Sequence, residues 1–360
     1  MKITGLQSTI VSIPRKYALK TAYGEMPNTT TVVVQLHTDA GIVGIGQTVA
    51  AAPWYGDSAE AIVVNIERYI LPAIVGLNPL ATEAVYARMV AALRGAPLAY
   101  TAVEYALWDI KGKALNVPVY ELLGGQCTAG ALLHAFVERI DVSETVARIN
   151  QLYEEGWRWF KTKIGFGMRA DLEWYRAVRA DVPDDVVFQL DGNTGYTLGD
   201  AIQTLVAVER EGGVGLFEQP VRYLDEMATL ATRLSTPLQA DEALVDPRSV
   251  YEIATRQAAH VLHFKIHKYG GLLQAKRMAA VAEAAGLEIS IAPYFDVLAA
   301  AAAHLAAATT GVSWPAGFSD MQDSILTEPF LPSGQLLPPP AGPGLGVSLD
   351  AEKLAYYAHT

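Results

Sequence analysis

The chain has 360 residues, 27 basic against 38 acidic, for a net charge of −11, with 51% hydrophobic and 18% charged residues. That length suits two domains or one large domain with an addition, and the composition calls for a sizeable core rather than disorder. The acidic excess argues against nucleic-acid binding, and Cys127, the one cysteine, leaves no internal disulfide and suits a reducing, cytoplasmic setting.

The opening MKITGLQSTIVSIPRKY lacks the apolar stretch of a signal peptide. Residues 2–14 and 29–47 alternate as strands do, with Asp39 and Gly41 at a hairpin turn. Apolar residues at helical spacing follow over 57–74, 81–94 and 98–115. Strands first and helices second predict an α+β unit over residues 1–125, closed by ELLGG.

Further on, eight short apolar segments alternate with helical stretches: LLHAFV, WFKTKI, VVFQLDGN, LFEQP, PLQADE, VLHFK, EISIAP and GVSWP. Polar residues end five successive segments: Lys163, Asp191, Glu218, Asp241 and Lys265, separated by 28, 27, 23 and 24 residues. A strand, a helix and two loops need about that length, so residues 126–330 are predicted to form a modified (β/α)8 (TIM) barrel. Its active site would lie at the C-terminal ends of the strands. The run VLAAAAAHLAAATTGV (297–312), interrupted by His304, reads as a buried helix and not a membrane span. The proline-rich tail, 331–360, is expected to leave the barrel and return to the N-terminal unit.

In a barrel those five residues converge on one mouth. Asp191, Glu218 and Asp241 repel one another unless a cation sits among them, and hard carboxylate oxygens suit one Mg²⁺ ion. Lys161 and Lys163 lie two apart and so share a strand face. A nearby cation and partial desolvation lower a lysine's pKa, which equips Lys163 as a base, with Lys265 as a second acid/base across the acidic group.

The set KTK (161–163), DGN (191–193), EQP (218–220), ADE (240–242) and KIHKYGG (265–271) resembles the muconate-lactonizing-enzyme subgroup of the enolase superfamily, as do GIVGIG and GPGLGV. The resemblance spans almost the whole chain. It implies an α+β capping domain on a modified barrel, Mg²⁺ held by Asp191, Glu218 and Asp241, and Lys163 and Lys265 on opposite faces of the substrate α-carbon. Lys161 would assist Lys163 and hold the substrate carboxylate, and Asp296 stands where related racemases and cycloisomerases often carry an acid. Two features depart from relatives: SIAPYFD lacks the histidine base of the mandelate-racemase subgroup, and SDMQD (319–323) differs from the Asp-x-Asp of dipeptide epimerases. Gln47 replaces the family's usual glutamate.

Two segments are candidate lids. AAAPWYGD (50–57) offers Trp54 and Tyr55 as substrate contacts or as anchors between cap and barrel. KYALKTAYGEMP (16–27) offers Gly24 as a hinge. His260, His263 and His267 are assigned to packing and surface, since 260 and 263 face opposite sides of a strand. Lys268 is open between a rim ion pair and plain surface, and Asn193 between the metal region and turn shaping.

These readings predict an isomerase acting on a small-molecule carboxylate, with neither nucleic acid nor membrane as partner, and a homo-oligomer is expected. The reaction is racemisation or epimerisation of an amino acid derivative, or muconate-type cycloisomerisation. The alternatives are β-elimination, as in an o-succinylbenzoate synthase, and a barrel that only binds carboxylate. His134 lacks a His-x-His partner, which weighs against a metal-dependent hydrolase.

Overall fold

A computed structural model describes residues 1–21 and 24–358, with side chains characterised outside 18–25. The first unit is an antiparallel sheet of β1 (Ile3–Thr21), β2 (Gly24–Thr38) and β3 (Val43–Val49), with the hairpin turn at Thr38–Gly41 as the alternation predicts. β1 and β2 run longer than the alternation suggested, their backbones paired as far as Thr21 and Gly24. The expected lid over 16–27 therefore includes strand backbone; its tip, Ala22 and Tyr23, lies outside the described residues.

Three helical stretches follow. Residues Ala59–Ile74 are helical throughout, with a π turn over Ile66–Ile70; helices Thr82–Ala92 and Pro97–Leu115 come next. The last is buried on nearly every side because β3 lies directly on it. A Cβ on Gly44 would meet the Ala106 carbonyl oxygen at 2.1 Å, and one on Gly46 the Ala102 oxygen at 1.8 Å. Gly44 and Gly46 of GIVGIG are thus demanded by backbone-to-backbone contact.

The second unit is a ring of parallel strands: β4 (Ala131–Phe136), β5 (Trp159–Lys163), β6 (Val187–Asp191), β7 (Val214–Glu218), β8 (Leu238–Ala240), β9 (Val261–Phe264) and β10 (Glu288–Ile291), each followed by a helix. The eighth strand is split at Pro315 into β11 (Val312–Trp314) and β12 (Ala316–Gly317). β11 pairs with β10 and β12 with β4, so the two halves close the ring. Among the described residues no helix directly follows this strand; the chain runs on through β13 (Leu336–Leu337), antiparallel to β4, before a short final helix, Ala351–Tyr356.

The tail then crosses the first unit. Asp109, buried in the helix Pro97–Leu115, accepts hydrogen bonds from the backbone N–H groups of Ile45 (2.9 Å) and Leu345 (2.9 Å) and from Lys113 Nζ (2.6 Å). One carboxylate thereby ties β3, its own helix and the tail. Gly344, at φ +71°, is required there because a Cβ would lie 2.2 Å from Asp109 Oδ1. The apolar run near residue 300 forms a fully buried helix, Asp296–Ala307, and among the described residues no helix is long and apolar enough to cross a membrane.

Candidate active site

Strand register brings the charged residues to one end of the barrel. Lys163 lies opposite Asp191, and Asp191 opposite Glu218, across neighbouring strands. Asp241 and Lys265 immediately follow β8 and β9. Around the mouth, five consecutive strands therefore present lysine, acid, acid, acid and lysine.

Lys163 Nζ donates to Asp191 Oδ2 (2.6 Å) and Asn193 Oδ1 (2.5 Å). Lys161 Nζ, two residues earlier on the same face, donates to Glu218 Oε2 (2.5 Å) and lies 2.9 Å from Asp191 Oδ2. On the other side Lys265 Nζ donates to Asp241 Oδ2 (2.5 Å). Lys268 belongs to the same cluster, donating to the Asp241 carbonyl (2.7 Å) and Oδ1 (3.1 Å). Among the described residues no three acidic, histidine or cysteine side chains close into an ion-holding group, because ammonium groups stand between the acids.

Those contacts set the charges. Burial pulls the pKa of Lys161 down, but Asp191 and then Glu218 outweigh it, and the lysine holds its proton more tightly than usual. Burial acts likewise on Lys265, and Asp241 reverses it, leaving the pKa well above normal. The expectation that lysines here are made less basic thus meets direct carboxylate pairing at these two. Lys268 follows it: burial lowers its pKa and Asp241 only partly compensates. Burial raises the pKa of Asp191 and Asp241, but Lys161 and Lys163 outweigh it at the first and Lys265 and Lys268 at the second. Glu218 goes the other way, raised by burial and by Asp191. Its Oε1 is buried without a hydrogen-bond partner. Three carboxylates with one oxygen free fit a hard divalent cation.

The loops that carry these groups are held in unusual backbone conformations. Among the described residues, seven non-glycine residues have positive φ, and five follow barrel strands at this end: Asn193, Thr194, Gln219, Tyr294 and Asp296. Such clustering is typical of functional sites. At φ +34°, Gln219 turns its Oε1 to accept from the backbone N–H groups of Asp241 (2.9 Å) and Ala243 (3.2 Å). The glutamine of EQP thus fixes the end of the neighbouring strand. The loops after β5 and β6 interlock through glycines: a Cβ on Gly165 would meet the Gly192 oxygen at 2.8 Å, and one on Gly195 the Gly165 oxygen at 2.9 Å.

The other expected residues lie as follows. Tyr55 reaches the mouth from the first unit: its hydroxyl is 3.3 Å from that of Tyr294, and its ring meets His267 edge-on at 5.2 Å. Trp54 is more exposed, at 37%. Asp296 is not brought to the lysines. Its Oδ1 accepts from Ser324 Oγ (2.6 Å) and its Oδ2 from the Ile325 N–H (3.4 Å), because the strained backbone at φ +51° turns it towards that segment. Burial lifts its pKa to about 6.

Of three further residues at this end, Glu242 is not singled out by the sequence, His267 is assigned there to packing or surface, and Gln47 is noted only as replacing a glutamate. His267 is buried between Tyr55 and Tyr294, and burial pushes its pKa down to about 3. Glu242 accepts from Asn193 Nδ2 (3.1 Å) and is pushed up to about 7 by burial and by Asp241. Gln47 accepts from the Val297 N–H (3.1 Å) and donates to Thr31 Oγ1 (3.1 Å), capping a barrel helix from the first unit. Proximity of the sequence motifs ADE and KIHKYGG was the available signal for Glu242 and His267.

Comparison with known proteins agrees with this architecture. Residues 5–124 match the family described as mandelate racemase / muconate lactonizing enzyme, N-terminal domain, and residues 144–353 match the enolase C-terminal domain-like family. The N-succinyl-L-Arg/Lys racemase of Bacillus cereus is 28% identical over 366 residues, covering 98% of this chain and 97% of that protein. Muconate cycloisomerase 1-1 of Acinetobacter lwoffii is 32% identical, covering 95% and 91%. The crystal structure of 2-chloromuconate cycloisomerase from Rhodococcus opacus is similar with a TM-score of 0.94 at 29% identity, covering 100% of both chains.

Proposed function

The chain belongs to the muconate-lactonizing-enzyme subgroup of the enolase superfamily and is an isomerase, and from that premise we propose that it moves the α-proton of a small carboxylate substrate. The observation that carries this reading is the order of charge around the mouth, with Lys163 and Lys265 flanking Asp191, Glu218 and Asp241.

Asp191, Glu218 and Asp241 would hold one Mg²⁺ ion, whose charge stabilises the enediolate left when a proton is removed beside a carboxylate. The rest is the work of the chain's own groups. Lys265, held protonated by Asp241, is the proton donor of the pair at rest. Lys163, with the more open side chain at 26% exposure, is the partner that takes the α-proton from the opposite side. The amine that accepts the proton becomes an ammonium, and the ammonium across the carbon delivers its own, so charge balances and configuration inverts. Lys161, clamped between Asp191 and Glu218, contributes positive charge for the substrate carboxylate rather than a mobile proton. Tyr55 anchors the first unit over the mouth and lines it.

A lysine on each flank favours 1,1-proton transfer on an N-acylated amino acid, the class to which the Bacillus cereus relative's name points. Muconate-type cycloisomerisation, which needs one lysine only, is the second reading, favoured by the 32% identity to the Acinetobacter enzyme. Incubation with Mg²⁺ in heavy water and a panel of N-acyl amino acids and muconates separates them. Deuterium at the α-carbon with loss of optical purity supports racemisation, and lactone formation supports cycloisomerisation. Absence of both, with the protein folded and metal bound, leaves a binding-only barrel.

A further inference from the structure

The interior of this barrel is polar where such barrels are usually filled by valine, isoleucine and leucine. Strand alternation places Lys161, Gln189, Gln239 and His263 two residues below Lys163, Asp191, Asp241 and Lys265, on the same inward face. Ser290 lies opposite His263 in register. All but Lys161 are buried to 3% exposure or less. Apart from Lys161, none of them was needed to describe the proton transfer.

Four of these residues form a continuous path to Glu218. Gln189 Nε2 donates to Glu218 Oε2 (2.6 Å) and to Gln239 Oε1 (2.8 Å). Gln239 Nε2 donates to Ser290 Oγ (2.7 Å), which lies 2.7 Å from His263 Nδ1. The directions are mutually dependent. Ser290 Oγ accepts from Gln239, so its single hydrogen is free for His263 Nδ1. Burial keeps that imidazole neutral and able to accept. Reversing Gln189 would aim an acceptor at the Glu218 carboxylate and at Gln239 Oε1, and reversing Gln239 would set its Nε2 donor against that of Gln189. Gln189 Oε1 is left buried and unpartnered, a cost borne in presenting N–H to both neighbours.

The consequence falls on Glu218. Its Oε2 is taken up by Gln189 and Lys161, while Oε1 has no partner. We infer that Gln189, Gln239, Ser290 and His263 are positioning residues whose one-way hydrogen-bond chain turns Glu218 to occupy one oxygen and bare the other for a divalent ion. This rests on the metal-dependent reading above. Groups behind metal ligands commonly set ligand orientation in this way.

Calorimetric titration of Mg²⁺ or Mn²⁺ into the substrate-free protein tests it. Gln189→Leu should weaken ion binding about 10- to 100-fold, and Ser290→Ala, which touches neither lysine nor acid, should weaken it several-fold. The double variant should be no weaker than Gln189→Leu, since one broken link already interrupts the chain; loosened packing would instead give additive losses. Circular dichroism checks folding, and Ser290→Ala decides alone if Gln189→Leu does not fold. Ion affinities within twofold of the parent, or fully additive losses, overturn the inference while leaving the metal reading intact. A parent protein that binds no divalent ion overturns both.

Discussion

Glu104, midway along a helix of the first unit, accepts a hydrogen bond from the backbone N–H of Leu273 in the first turn of a barrel helix, at 2.7 Å. That oxygen, Oε1, also accepts from Trp108 Nε1 at 2.6 Å, and Oε2 takes the Leu272 N–H at 2.9 Å. The helix so capped starts at the end of KIHKYGG, and a Cβ on Gly271 would meet Glu104 Oε2 at 2.1 Å. The cap domain therefore holds the segment that carries Lys265. Glu104→Ala should cost about 1–3 kcal/mol of stability, the penalty for stranding buried donors, read as a lower denaturation midpoint.

The same carboxyl group predicts a pH dependence. Burial pushes its pKa up to about 7 from 4.5, against the pull of the Leu273 and Leu272 N–H groups. A folded pKa above the unfolded one means that the folded state binds the proton more tightly. The contribution is fully present below about pH 4.5 and is lost as pH rises towards 7. Unfolding followed across that range should show a downward slope in stability that Glu104→Gln removes.

Gly46→Ala tests the contact between β3 and the buried helix. The added methyl carbon would fall 1.8 Å from a backbone oxygen, which no rotamer change can relieve. The loss should be about 3 kcal/mol or more, at the upper end of overpacking costs, seen in thermal unfolding.

Replacing either flanking lysine should block inversion but spare one exchange reaction. Lys163→Met and Lys265→Met should each slow racemisation of both enantiomers by about 100- to 10,000-fold, the range of general acid–base contributions. Each variant should still exchange the α-proton of the one enantiomer whose proton faces the remaining lysine. Polarimetry and deuterium incorporation, run on both enantiomers, read this directly. A Lys265 variant that racemises both normally would remove it from the mechanism.

Chelation should silence the enzyme without unfolding it, because Lys161, Lys163 and Lys265 already neutralise the acids. Restoring the ion at 100 times its dissociation constant should raise stability by about 2.7 kcal/mol, seen as a shift in melting temperature.

The barrel was legible because its repeat converts sequence spacing into adjacency. Five successive strands end at or beside a polar residue that the topology carries to the mouth, so Lys163, Asp191, Glu218, Asp241 and Lys265 stand out. The polar layer beneath does not, because Gln189, Gln239 and Ser290 lie inside apolar strands and acquire meaning only through neighbours from other strands. Asp296 was misleading for a related reason: side-chain direction depends on backbone φ, and at φ +51° the carboxylate turns to Ser324. Gln47 could not be interpreted, since its partner Val297 is 250 residues distant.

Pro315 leaves the ring with a sutured seam. β4 pairs with β12 at Leu133 and His134 and with β13 at Ala131 and Leu132, so two scraps of strand cover what one continuous strand would. Loosen either scrap and β4 becomes a bare edge, able to recruit strands from neighbouring molecules. Clouding at high concentration, more than lost catalysis, is where damage to that suture would first announce itself.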